Sequence, residues 1–136
     1  MSLTLRIIGR VSSPLTELAA APRQADEGAP AAWIEFEPDL LEALRDLKPG
    51  DEVVVLTWLD RARRDVLSVH PRGDTSRPAE GVFSTRAPHR PNPIGLHYTR
   101  VLSIDGARIQ VTALEALDGT PVLDLKPALA ADVAQR

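Results

Sequence analysis

Cysteine is absent from the 136-residue sequence, which excludes a disulfide framework, a thiolate nucleophile and a cysteine-ligated metal centre. The apolar runs are short, as in VVVL at residues 53–56, whereas a membrane-spanning helix needs about 20 apolar residues. The N-terminal residues lack a basic start followed by an apolar block and a cleavage site, so we interpret them as a strand rather than a signal peptide. We therefore expect a cytoplasmic protein without membrane contacts.

The sequence also lacks the motifs of several enzyme classes. It has no glycine-rich dinucleotide loop and no Walker lysine loop, which argues against a Rossmann enzyme. No serine stands in a Gly-x-Ser-x-Gly turn, so covalent catalysis is disfavoured. His70, His89 and His97 are not at ligand spacing on one element, and we predict no metal site. Only five residues are aromatic, and most of them have the sequence context of core residues rather than of an RNA-stacking platform.

The net charge of -3 is unevenly distributed along the chain. Residues 61–100 contain eight arginines and three acidic residues, whereas the rest of the chain has eight basic and sixteen acidic residues. A basic middle in an acidic chain indicates a local anion site. Fourteen of the sixteen basic residues are arginine, whose planar group suits carboxylates, phosphates and base edges. A genome-wide preference for arginine explains that ratio equally well.

Short apolar and β-branched runs predict a mostly β fold. One helix is expected in PDLLEALRDLKPGD at residues 38–51, and residues 12–32 are expected to form a long loop. Asp105-Gly106 between two apolar runs is a strong hairpin signal. We predict a single domain over residues 1–136, a small β-barrel or pseudobarrel of antiparallel or mixed strands with one short helix. The expected strands are residues 3–11, 33–38, 51–59, 64–70, 80–85, 95–104, 107–117 and 120–125.

The segment STRAPHRPNPIGL at residues 84–96 does not fit a strand or a helix. Its three prolines fix φ and remove backbone donors, and the residue before each proline is pushed towards extended geometry. Such a loop would hold Arg86, Arg90 and Asn92 at fixed angles with little ordering cost on binding. The alternative is a proline-stiffened corner of a barrel with solvated arginines.

Two motifs give the sequence a resemblance to a known family. GVFSTRAPHRPNPIGL at residues 81–96 and LDGTPVLDLKP at residues 117–127 resemble the TsaA-like family, also called YaeB-like, which includes the TrmO-type tRNA methyltransferases. APRQADEG at residues 21–28 and VHPRGD at residues 69–74 are similar to further segments of the family. The sequence departs from the family pattern at His89, where an aromatic is common, and at Ala128, where tyrosine is common.

The resemblance implies a small β-barrel that binds S-adenosylmethionine and forms a homodimer. It implies N-methylation of threonylcarbamoyladenosine beside the tRNA anticodon, so tRNA is the expected substrate. Longer members of the family add a second domain, which bears on RNA recognition. Two alternatives stay open: a non-catalytic regulatory module that binds S-adenosylmethionine, and a methyltransferase for small molecules.

Site residues are assigned through this resemblance. A carboxylate is needed to take the proton from a ureido-type nitrogen, and Asp118 and Asp124 are the candidates, although Asp118 also suits an Asp-Gly turn and Asp124 alternatively pairs with Lys126 or Arg90. The expected substrate-binding residues are Arg90, Asn92 and Lys126. The expected cofactor-binding residues are Pro22, Arg23, Gln24, Arg86, Leu96, Glu115, Ala116, Leu117 and Asp118.

Overall fold

The computed structural model describes residues 1–15 and 30–130. The predicted long loop and the residues Pro22, Arg23 and Gln24 therefore lie mostly or wholly outside the described part. Within that part, no helix has the length and apolar character needed to cross a bilayer. Eight strands are present: β1 (Gly9–Ser12), β2 (Ala32–Phe36), β3 (Glu52–Trp58), β4 (Ser68–Val69), β5 (Glu80–Gly81), β6 (Ile94–Asp105), β7 (Arg108–Val111) and β8 (Pro121–Pro127).

Six of these strands form a closed ring in the order β1-β2-β7-β6-β3-β8. The ring closes because β8 pairs with β3 along most of its length and with β1 through Gly9↔Val122 and Arg10↔Pro121. Every pairing among the described strands is antiparallel, and β4 and β5 form a separate two-stranded ribbon. The prediction of a mostly β fold is confirmed, and this closed sheet is compatible with the predicted pseudobarrel.

The interior of the ring is filled by alternate residues of the strands, as expected for a period of two. Val53, Val55 and Thr57 of β3 are buried, and so are the alternate β6 residues from Gly95 to Val101. Each fully buried Val or Ile contributes about 1.5–3 kcal/mol. The largest apolar side chains with no exposed surface are Ile34, Ile109, Leu114, Val55, Val111 and Val122.

The predicted helix is shorter than expected and is a 3-10 helix, Pro38–Leu44. Proline at its start agrees with the prediction. Leu44 is the one residue of this helix that is buried, and Leu41 is 52% exposed, so only part of the leucine face has packing partners. Seven residues without a packed apolar face are too few for a stable α-helix. Two shorter 3-10 helices are Pro71–Gly73 and Val82–Ser84.

Four of the predicted strands were too long. The strand predicted at residues 107–117 is present only as β7, which ends at Val111. The first predicted strand begins at Gly9 rather than at residue 3, because only from there does the chain pair with both β2 and β8; Leu3 and Leu5 are 74% and 55% exposed. The runs at residues 64–70 and 80–85 pair only through β4 and β5. Beyond β5 the chain turns into Val82–Ser84, where Phe83 is 81% exposed, so the expectation of a core aromatic is wrong at Phe83.

The two Asp-Gly pairs form turns beside strands. Asp105 pairs with Arg108, so Gly106 and Ala107 form a two-residue turn in which Gly106 has φ of +59°. This confirms the predicted hairpin. Gly119 has φ of +84°, a left-handed conformation that glycine adopts without a steric cost. The second turn leads directly into β8.

Candidate functional site

The proline loop is held against the segment that follows β3. The Arg90 N–H donates to the Arg63 carbonyl oxygen at 3.0 Å, and the Arg63 N–H donates to His89 Nδ1 at 2.9 Å. The Leu59 N–H donates to the Pro93 carbonyl oxygen at 2.8 Å. The prolines leave the loop with few donors of its own, and two of these three hydrogen bonds are donated by residues 59–63. Together they fix the loop between the end of β3 and the start of β6.

Arg64 joins the same two segments through its side chain. Its Nε donates to the Pro91 carbonyl oxygen at 2.7 Å and its Nη2 donates to Asn92 Oδ1 at 2.9 Å. Its guanidinium carbon lies 5.1 Å from the centre of the Trp58 ring, a distance at which cation–π attraction operates. Sequence analysis missed Arg64; the arginine cluster at residues 61–64 was the one signal for it.

The Arg90 side chain forms its hydrogen bonds within the proline loop. Its Nη1 donates to the carbonyl oxygens of Thr85 and Ala87 at 2.9 and 3.0 Å, and the group is half-buried. Arg86 lies between those two residues, is exposed, and makes no side-chain hydrogen bond or ion pair with the described residues. The loop therefore presents Arg86 outward from a backbone that Arg90 holds in place.

The segment before β8 attaches to both ends of the 16–29 segment. The Asp118 N–H donates to the Leu15 carbonyl oxygen at 2.6 Å, and the Ser13 N–H donates to Asp118 Oδ1 at 3.0 Å. The Leu114 N–H donates to the Pro30 carbonyl oxygen at 3.0 Å. The structure thus places the flanks of the segment that carries residues 22–24 beside the expected cofactor residues 115–118.

Within residues 115–118, the side chains differ in exposure. Ala116 and Leu117 are buried at 1% and 7% exposure, so they offer little surface to a ligand. Asp118 Oδ1 accepts the Ser13 N–H, which agrees with the turn role weighed for this residue. Its role as a proton acceptor stays a prediction.

A chain of polar side chains lies in the ring interior at the end nearest the proline loop. Thr57 Oγ1 lies 2.8 Å from His97 Nε2, and His97 Nδ1 lies 2.7 Å from Glu115 Oε1. Thr57 and His97 are 0% and 4% exposed. Glu115 Oε2 is buried and has no hydrogen-bond partner. Sequence analysis did not find Thr57 or His97, although the strand period places His97 on the same face as Gly95.

Glu115, His97 and Thr57 are connected in the order of a Glu-His-Thr catalytic triad, but their burial does not suit one. A catalytic nucleophile must reach its substrate, and the Thr57 side chain is fully buried. Gly95 packs directly against the Thr57 hydroxyl and the His97 ring. These hydrogen-bonded side chains therefore hold Glu115 in place from within the ring, and the Thr57 hydroxyl has no access to a substrate.

The other predicted residues lie on the outer face of the ring. Asp124 accepts the Leu125 N–H at 2.8 Å through Oδ1, and its Oδ2 lies 3.1 Å from Lys126 Nζ. Of the two alternatives weighed for Asp124, pairing with Lys126 is the one found. A cavity of about 480 Å³ on this face brings Leu96 and Lys126 together; its lining is Val54, Leu56, Leu96, Tyr98, Lys126, Pro127 and Leu129.

Two described residues beside the proline loop have shifted pKa values. The Arg63 guanidinium donates to both oxygens of the Asp65 carboxylate, at 3.0 and 2.9 Å. This hydrogen bonding lowers the pKa of Asp65 and raises the pKa of Arg63. Both side chains are exposed, so the pair anchors the turn after β3 rather than forming a buried charge site.

The sequence matches the model of the tRNA-methyltransferase O N-terminal domain family over residues 10–132. The chain belongs to this family. It is 43% identical over 127 residues to a "Probable S-adenosyl-L-methionine-binding protein" of Archaeoglobus fulgidus, of which it spans 34%. It is 42% identical over 127 residues to a protein of the same name from Methanothermobacter thermautotrophicus, of which it spans 90%. Both alignments cover 93% of this chain.

Solved structures of TrmO share this fold. One TrmO crystal structure superposes with a TM-score of 0.77 at 34% identity, covering 96% of this chain and 59% of that chain. TrmO from Pseudomonas aeruginosa also gives 0.77, at 32% identity, covering 96% of this chain and 58% of that one. The chain therefore spans a little under three fifths of the TrmO chains and about a third of the Archaeoglobus relative.

Proposed function

We propose that this chain binds S-adenosylmethionine and acts as the methyltransferase domain that N-methylates threonylcarbamoyladenosine beside the tRNA anticodon. The observation that carries the proposal is the family match over residues 10–132. Relatives named as S-adenosyl-L-methionine-binding proteins at 40–43% identity support the cofactor. The likeness to TrmO structures supports transfer to tRNA.

The residues present fit this cofactor chemically. S-adenosylmethionine carries hydrogen-bond donors in its amino group, its ribose and its adenine, and Glu115 Oε2 is a buried acceptor without a donor. Its carboxylate needs a cation, and Arg86 is an exposed guanidinium without a partner in the described residues. The residues that would hold it are Arg86, Leu96 and Glu115–Asp118, with Pro22, Arg23 and Gln24 expected from the resemblance.

When bound, the cofactor supplies a methyl group on a sulfonium that leaves as a neutral thioether, so the chain needs no covalent nucleophile. The contribution of the chain is positioning and proton removal. Asp118 and Asp124 are the proposed acceptors for the proton of the target nitrogen. Asp124 Oδ2 is 3.1 Å from Lys126 Nζ, so Lys126 would orient that carboxylate.

The proposed substrate contacts have unequal support. Lys126 is about 60% exposed and lies beside the outer cavity, where it could meet a phosphate or a substrate carboxylate. Asn92 Oδ1 is already bonded to Arg64, which leaves its amide hydrogens for an RNA base edge. Arg90 is occupied within the loop, so we propose that it supports substrate binding by holding the loop.

We also propose that the chain acts as a cytoplasmic homodimer. The outer face of β6 carries exposed apolar side chains, with Ile94 43% and Leu96 36% exposed. Such a face favours contact with another protein surface. Leu96→Glu is expected to shift the mass measured by light scattering from dimer to monomer, whereas Arg77→Glu, in the loop before β5, is the control. Equal masses for wild type and Leu96→Glu would contradict this use of the face.

The second candidate is a non-catalytic module that binds S-adenosylmethionine. It is favoured by the names of the relatives, which state binding and no reaction. Methylation of a small molecule is a further alternative. Cofactor binding without binding or methylation of RNA separates both from the proposed function.

The test is mass analysis of nucleosides from tRNA after incubation with S-adenosylmethionine and the protein. We expect threonylcarbamoyladenosine to gain one methyl group with the wild-type chain and much less with Asn92→Ala or Arg90→Ala. Arg77→Gln is the matched control, because its side chain has no partner in the described residues. If no nucleoside gains a methyl group while the cofactor still binds, the binding-module alternative replaces the enzyme.

A further inference from the structure

The Glu115 carboxylate is held at one oxygen and lacks a partner at the other. Oε1 lies 2.7 Å from His97 Nδ1, whereas Oε2 is buried and accepts no hydrogen bond from the residues that the structure describes. Native proteins rarely leave a buried acceptor unsatisfied, because its lost hydration is not replaced. An orphaned oxygen on an otherwise well-held carboxylate therefore marks a place for a donor that arrives with a ligand.

Two residues on neighbouring strands fix the orientation of this carboxylate. Thr57 pairs with Gly95 across β3 and β6, and the His97 ring lies between the Thr57 hydroxyl and Glu115. A carboxylate oxygen only accepts, so His97 Nδ1–H donates to Glu115, and in the neutral ring Nε2 accepts from the Thr57 hydroxyl. Both ring nitrogens are thereby engaged, and the ring cannot turn without losing a buried hydrogen bond.

The orphaned oxygen lies where the expected cofactor segments meet. His97 follows Leu96 on β6, and Glu115 follows Leu114, whose N–H is bonded to the Pro30 carbonyl oxygen. A donor that reaches Glu115 there would touch the loop-bearing end of β6 and the segment before β8 together. Neither Asp118 nor Asp124 offers such a site, because neither carboxylate is buried: Asp118 is exposed and the Asp124 side chain is 48% exposed.

We propose that Thr57 and His97 are positioning residues for Glu115, and that Glu115 Oε2 accepts a hydrogen bond from the cationic amino group of S-adenosylmethionine. This inference rests on the proposed function, since it requires that the cofactor binds here. Oε2 meets no donor among the described residues. A cationic donor there would form a charge-assisted hydrogen bond, which is the stronger kind.

The experiment titrates S-adenosylmethionine and two of its analogues by isothermal titration calorimetry. S-adenosylhomocysteine carries the amino group, and 5′-methylthioadenosine keeps the adenosine and the sulfur but lacks the amino acid part. We expect Glu115→Gln to weaken S-adenosylhomocysteine binding by roughly tenfold or more, as for a lost hydrogen bond to a charged group. Binding of 5′-methylthioadenosine should change less than about twofold.

The positioning residues are tested with Thr57→Val and Thr57→Ser. Valine keeps the shape of threonine and removes the hydroxyl, so His97 Nε2 loses its partner. We expect a selective loss of S-adenosylhomocysteine affinity with Thr57→Val, smaller than with Glu115→Gln, and rescue with Thr57→Ser. Thermal unfolding of each variant verifies that the fold is intact, and a merely structural role would weaken both ligands alike.

Each remaining outcome overturns the inference in its own way. Equal weakening of both ligands by Glu115→Gln would assign Glu115 to the fold or to the adenosine. A loss seen for S-adenosylmethionine but not for S-adenosylhomocysteine would place the carboxylate at the sulfonium instead. A wild-type chain that binds none of the three compounds contradicts the proposed function itself, which separates that failure from the failure of this inference.

Discussion

Arg64 Nη2 lies 2.9 Å from Asn92 Oδ1, and this contact joins two loops that are 28 residues apart in sequence. The same guanidinium donates to the Pro91 carbonyl oxygen and lies over the Trp58 ring. A planar group with several donors in fixed directions suits this use, which lysine could not reproduce. The stiffness of the proline loop therefore comes from Arg64 as well as from the prolines.

Arg64→Lys is expected to loosen the proline loop without unfolding the ring. Loss of the paired hydrogen bonds should speed amide exchange at Arg90 and Leu59, whose N–H groups join the two loops. A loss of about 1.4 kcal/mol in local stability corresponds to roughly tenfold faster exchange. Hydrogen exchange measured by NMR tests this, with Arg77→Lys as the control. Unchanged exchange at both amides would show that the prolines alone hold the loop.

Gly95→Ala is expected to destabilise the protein through the buried polar chain. A Cβ at this position would overlap the Thr57 hydroxyl and lie 2.7 Å from His97 Nε2. Overpacking of a buried site costs about 1–3 kcal/mol. Urea unfolding should show that loss, whereas Gly81→Ala, where nothing lies within 4 Å of the new Cβ, should change stability little. Equal stabilities for the two variants would mean that the ring interior beside Gly95 has room for a methyl group.

Local patterns predicted the elements whose partners are close in sequence. The Asp105-Gly106 turn and the strand predicted at residues 95–104 depend on neighbouring residues, and both were found as expected. The contacts of His97 with Glu115 and of Arg64 with Asn92 depend on strand register and on how distant loops meet. A single sequence carries no local signal for contacts between such distant residues. The contacts of His97 with Thr57 and Glu115, and those of Arg64 with the proline loop, were therefore missed.

The N-terminal strand shows that local propensity also predicts strand residues that have no pairing partner. Residues 3–8 have strand-like composition, but the apolar side chains of Leu3, Leu5 and Ile7 remain exposed. Strand formation depends on a partner for the backbone as much as on propensity. The strand pairing with β2 and β8 stops at Gly9, which no pattern within residues 3–11 reveals.

Asp65 is expected to titrate below the ordinary aspartate range. The hydrogen bonds from Arg63 favour the ionised carboxylate and lower the pKa of Asp65. The ionised pair therefore contributes above the ordinary aspartate pKa, and its contribution is lost as pH falls through the lowered value. Carboxyl chemical shifts followed by NMR should show the lowered pKa, and Arg63→Gln should raise it towards the ordinary value. An Asp65 pKa unaffected by Arg63→Gln would contradict the assigned cause.

Two substitutions at Asp118 separate its turn role from its proposed chemistry. Asp118→Ala removes the acceptor for the Ser13 N–H and should destabilise the protein by about 1 kcal/mol. Asp118→Asn keeps an oxygen acceptor there, so its urea unfolding should match that of the wild type. The amide cannot take up a proton at neutral pH, so if Asp118 is the proton acceptor, Asp118→Asn should lower kcat for methyl transfer roughly 100-fold. Full activity in Asp118→Asn would leave Asp118 with the turn role alone and Asp124 as the acceptor to test by the same exchange.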